Sequence, residues 1–105
     1  MKTIVTVRGR LKAENADEAR KGHDATVDRL MPISQPLGAI GHAAYLNPQD
    51  PREFLAVDTW KSMEGLQQFM SHPENPGAAI AALFEGQPDI TVWSEAGWRS
   101  FMGEA

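Results

Sequence analysis

The chain has 105 residues, Lys+Arg 10 against Asp+Glu 14 for a formal net charge of −4, and no cysteine. A chain this short supports one core and buries only about two-thirds of the surface it exposes when unfolded, so association with a second copy is a natural supplement. The acidic balance gives no electrostatic basis for binding nucleic acid or an anionic membrane, and the missing thiols exclude disulfides, cysteine nucleophiles, cysteine-ligated zinc and iron–sulfur clusters.

The opening MKTIVTVRGRLKAEN carries an apolar run too short and too interrupted for a signal-peptide core, and no continuous apolar span reaches membrane length. The expectation is a soluble, cytoplasmic protein organised as one domain over residues 1–105. Residues 3–11, TIVTVRGRL, alternate as a first strand, with Val5, Val7 and Leu11 on one face and Thr6, Arg8 and Arg10 on the other. Arg8, Arg10 and Lys12 read as a solvated strand end rather than as a broad basic patch.

Asn15 followed by Glu18 forms an N-terminal capping pattern that starts a helix near Ala16. Its apolar stripe runs through Ala16, Ala19, His23, Val27, Leu30 and Met31, and Pro32 and Pro36 are expected to end it. From Gly38, GAIGHAAYL reads as a second strand with Ile40, His42, Ala44 and Leu46 on one face. The proline-rich NPQDPRE turns the chain, and REFLAVDTW returns as the antiparallel partner.

In that third strand the expected helix-facing set is Leu55, Val57 and Thr59, leaving Phe54, Ala56, Asp58 and Trp60 on the other side. Ser62 caps a further helix with Met63, Leu66, Phe69 and Met70 inward, and His72-Pro73 stops it. PGAAIAALFEG extends the helical region to Gly86, and PDITVWSEAGW is a fourth strand. The order βαββαβ predicts an α+β, ferredoxin-like fold: one antiparallel four-stranded sheet with its helices on one face. An uncovered face carrying Phe54 and Trp60 predicts a homodimer joined through its sheets.

The stretch DTWKSMEGLQQFMSHPE, placed after a short hairpin, resembles the third-strand-to-second-helix passage of the dimeric α/β-barrel superfamily, and more narrowly of antibiotic-biosynthesis-monooxygenase-like domains. The resemblance implies two ferredoxin-like protomers with sheets face to face and a cavity in each. It also implies relatives that include cofactor-independent oxygenases of polycyclic aromatic polyketides, haem-degrading monooxygenases, isomerases and domains without assigned activity. Trp60 matches the Trp that ends the third strand in that pattern, whereas the His expected further along the following helix is replaced by Phe69, with His72 a turn later. The haem-degrading subgroup carries an Asn in the first strand; VTVRGR has none, which argues against that role.

Side-chain parity suggests that Thr6, Arg8, His42, Asp58 and Trp60 share the face away from the helices. In that reading Arg8 pairs with an oxyanion, His42 or Asp58 moves a proton and Trp60 stacks on a small ligand. The plainer alternative is an Arg8–Asp58 ion pair beside a Trp60 that anchors the dimer. His23, inside the helical stripe, is either a general base at a cavity wall or a core histidine bonded to a carbonyl. His72 is expected to cap a helix end. A metal triad of His23, His42 and Asp58 lacks any diagnostic spacing, and no glycine-rich phosphate loop or nucleophile elbow is present. With the resemblance, which implies a cofactor-independent monooxygenase-like enzyme, the candidate base is His23 or His42; the alternative is a non-catalytic ligand-binding or structural dimer.

Overall fold

A computed structural model of the chain describes residues 1–103. The elements are β1 (Thr3–Leu11), α1 (Ala16–Ser34), β2 (Ala39–Asn47), β3 (Asp50–Trp60), α2 (Met63–Met70), α3 (Pro76–Ala81) and β4 (Phe84–Ser94). The strands form one antiparallel sheet in the order β2-β3-β1-β4, with the helices on one face, which is the expected ferredoxin-like plan.

Both expected caps form. The Asn15 side chain accepts the Glu18 amide at 2.9 Å, and Ser62 Oγ accepts the Gly65 amide at 3.3 Å, each satisfying an amide that a helix start leaves without an intrahelical partner. Pro32 does not end α1, which continues to Ser34. Placed in the last turn, it removes one amide hydrogen bond while Gln35 N–H still reaches the Met31 carbonyl at 3.0 Å. The turn between β2 and β3 is tighter than NPQDPRE suggested, because Asp50 already belongs to β3 and the Gln49 amide donates to the Asn47 side chain at 2.9 Å. The helical reading of residues 76–86 is corrected as well: α3 stops at Ala81, and Phe84 opens β4 as a buried core residue.

The core joins Val5, Val7, Leu11, Leu30, Phe54, Ala56, Trp60, Leu66, Phe69 and Phe84. Its membership reverses the expected parity of β3. Phe54, Ala56 and Trp60 lie under the helices, and the pairing of Asp58 with Val5 and His42 places it on the same side. Leu55, Val57 and Thr59 occupy the opposite, open face. The dimer surface expected at Phe54, Asp58 and Trp60 is thus covered by the chain's own helices. The inward set of α2 narrows likewise, since Leu66 and Phe69 are buried while Met63 and Met70 are exposed.

Candidate active site

The β2–β3 ladder is irregular between Ala39 and Gly41, where Ala39 pairs with Trp60 and Gly41 with Thr59. This extra residue, Ile40, breaks the period of two, so that Ala39 and His42 both line the helix side of the sheet although three positions apart. His42 stands directly opposite Asp58, and its Nδ1 lies 2.5 Å from Asp58 Oδ1. Across the gap, the stripe of α1 delivers His23, whose Nε2 is 2.8 Å from His42 Nε2 and whose Nδ1 is 2.9 Å from Asp24 Oδ1. Four side chains from three elements therefore form a continuous polar chain, Asp58–His42–His23–Asp24.

The Asp58 carboxylate fixes the His42 tautomer by accepting from Nδ1–H. Its hydrogen bond, partly opposed by desolvation and aided by its charge, holds His42 above the ordinary histidine value of 6.5. A raised folded-state value means that the stabilisation is fully present below pH 6.5 and is lost as pH rises through that higher value. Asp58→Asn is expected to flatten this decline and to bring the His42 titration down toward the ordinary value. Thermal melts across pH 5.5 to 9 check the first effect and ring NMR of His42 the second; an unmoved His42 titration would remove Asp58 as its partner.

Beside this chain, between sheet and helices, lies a cavity of about 110 Å³. His23, His42 and Asp58 form one wall, and Phe54, Trp60, Phe69, Leu30 and Met31 contribute apolar surface. Trp60 is 3% exposed and packs on Phe69 with ring centroids 5.2 Å apart, so the cavity floor is aromatic. His42 and Asp58 keep 34% and 25% of their side-chain surface accessible, which places them toward the mouth. A space of this size accommodates about one aromatic ring, with any polar substituent directed at the histidines. Among the described residues no group of three or more His, Asp or Glu side chains converges to hold a metal ion.

No protein-family profile matches the chain, and no curated protein matches it in sequence. Solved structures do match it along nearly its whole length. SnoaB, a cofactor-independent oxygenase from Streptomyces nogalater, superimposes with a TM-score of 0.70 at 11% identity, covering 98% of each chain. Rv0793 from Mycobacterium tuberculosis gives 0.66 at 16% identity, over 95% of this chain and 100% of its own. A candidate antibiotic biosynthesis monooxygenase from Caulobacter crescentus CB15 gives 0.69 at 14% identity, over 90% of each chain.

The fold is that of antibiotic-biosynthesis-monooxygenase-like domains.

Within this monooxygenase-like fold, four of the five residues singled out from sequence come together: His23, His42, Asp58 and Trp60 all line the cavity. Arg8 does not. It lies on the open face, its side chain is 72% exposed, and its nearest acid is Glu53 at 3.9 Å, so the expected Arg8–Asp58 pair is absent. Thr6 shares that open face, where its hydroxyl accepts from Trp93 Nε1 at 2.9 Å. His72 lies past the end of α2 and accepts the Glu74 amide on Nδ1 at 3.1 Å, while Ser71 Oγ donates to the Gln67 carbonyl at 2.8 Å in the capping role expected of His72. Asp24 and Phe54 were missed. The position of Asp24 beside His23, at the edge of the apolar stripe, was the available signal for the first; size alone, a Phe three pleat repeats from Trp60, was the signal for the second.

Proposed function

We propose that the chain is a cofactor-independent oxygenase of a small hydroxylated aromatic or enolisable substrate. The observation that carries this reading is the Asp58–His42–His23 chain forming the polar wall of an otherwise apolar, ring-sized cavity. A base of this kind breaks an O–H or activated C–H bond and leaves the electron pair on the substrate. The resulting anion gives one electron to dioxygen, the two radicals combine to a peroxide, and loss of water leaves a carbonyl where a CH₂ stood. One oxygen atom enters the product and the other leaves as water. The apolar walls favour the delocalised anion and its uncharged oxidant, and the shared fold with SnoaB supports the class of reaction.

Oxygen consumption with a panel of hydroquinones and other single-ring phenolic or enolisable compounds, without added metal or flavin, tests the proposal. Turnover on at least one member is expected. Binding without turnover across the panel would favour the non-catalytic ligand-binding domain instead.

The same reading includes a homodimer, now through the opposite surface. The open face presents rows Ala43–Val57–Thr6–Thr91 and Gly41–Thr59–Ile4–Trp93, with Tyr45 and Trp93 55% and 54% exposed. The exposed Tyr45 and Trp93 and the half-buried Val57 on this mixed face are the surface that a second copy would cover. Val57→Lys, at the centre of that surface, is expected to give the mass of one chain in light scattering where the parent gives two. A parent that already runs as a monomer would contradict the assembly.

A further inference from the structure

We propose that His23 and His42 act as one base, with a single proton-binding position between their Nε2 atoms. Each ring has its Nδ1 against a carboxylate, His42 at 2.5 Å from Asp58 and His23 at 2.9 Å from Asp24. An ionised carboxylate only accepts, so each Nδ1 carries its ring's proton. A neutral imidazole has no second N–H. Both Nε2 atoms then hold lone pairs, and they face each other at 2.8 Å with no donor between them. Exchanging the tautomer of either ring would set a bare Nδ1 against a carboxylate, which only moves the repulsion elsewhere.

One added proton resolves the conflict. It turns the Nε2–Nε2 contact into a charge-assisted hydrogen bond and relieves the repulsion between lone pairs, the effect that makes convergent diamines stronger bases than either amine alone. The charged groups around the pair are Asp58 from β3 and Asp24 from α1, with Asp17 and Arg20 of α1 bordering the adjoining groove. The flanking residues Gly41 and Ala44 of β2, Ile80 of α3 and Phe84 of β4 bring no charge. Two carboxylates therefore face one shared proton. When the substrate bond to hydrogen breaks, its electron pair stays on the substrate and the proton fills this position. It leaves by way of His23 Nδ1–H and Asp24, whose side chain is 58% exposed.

The catalytic use of the pair rests on the oxygenase reading, but the shared proton belongs to the free protein and is measured without substrate. Ring ¹⁵N spectra of histidine-labelled protein, followed from pH 5 to 10, are expected to show both rings changing together in one step. The ring that remains in His23→Gln and in His42→Gln should hold its proton less tightly than in the parent, because the lone pair that shares it is gone. Should His42→Gln fail to fold, Asp24→Asn serves in its place and is expected to shift both rings together. Two separate titrations, each unchanged by loss of the partner ring, would overturn the shared position. Joint titration in a protein that turns over no substrate would uphold the pair and remove the oxygenase; separate titrations in an active enzyme would do the reverse.

Discussion

His42→Ala is expected to lower kcat by about 10²- to 10⁴-fold on any substrate the wild type oxidises, the range associated with loss of a positioned general base. Of the two rings, His42 stands on the sheet at the cavity wall, opposite Asp58 and one strand from Trp60. Because that side chain is about one-third exposed, its removal opens no core void, and any fall in melting temperature reports the lost pairing with Asp58. Oxygen-electrode rates for wild type, His23→Ala, His42→Ala and the double variant make the measurement. If the two rings work as a unit, each single change costs nearly as much as both together. A loss under ten-fold in His42→Ala would move the base elsewhere.

Gly65→Ala is expected to be the most damaging small substitution in the chain. A Cβ at this position would overlap the backbone carbonyl oxygen of Leu37, deep inside contact distance. Neither party gives way easily, since Gly65 is held by the Ser62 cap in the first turn of α2 and the Leu37 amide donates a hydrogen bond to the Ser34 carbonyl at 3.1 Å. Overpacking typically costs about 1–3 kcal/mol where a side chain can rotate aside, and here none can. A loss of about 3 kcal/mol corresponds to a fall in Tm of roughly 12–24 °C for a domain of this size. Gly9→Ala is the natural comparison: its Cβ would meet the buried Phe84 ring at 2.7 Å, a side chain rather than backbone, so the smaller loss is expected there. Thermal unfolding by circular dichroism ranks the two, and a Gly65→Ala protein as stable as its parent would refute the account.

Element order was legible because the caps and breakers are local chemistry. Asn15 and Ser62 announce their helices by residue type, and the strands announce themselves by alternation. The face that β3 turns to the helices was not legible. Leu55, Val57 and Thr59 are as apolar and as β-forming as Phe54, Ala56 and Trp60, so alternation marks a strand without marking which side is inside. That ambiguity carried Asp58 and Trp60 to the wrong face together with Phe54. His42 was misassigned with them, and its own strand hides the reason, since the bulge at Ile40 shifts parity without any proline or charge to signal it. The grouping of His42, Asp58 and Trp60 nevertheless survived, because all three moved to the same side. Arg8 remained where β1 put it, and the constellation lost its only cation.

The cavity lies on the helix side of the sheet, and the open face proposed for a partner lies on the other. A symmetrical pair built on that surface would hold two chambers back to back, separated by two sheets and sharing no side chain. Occupancy of one would send no steric message to the other. Saturation curves should then be hyperbolic, and an assembly combining one active and one disabled copy should run at half speed, with neither rescue nor poisoning between the two.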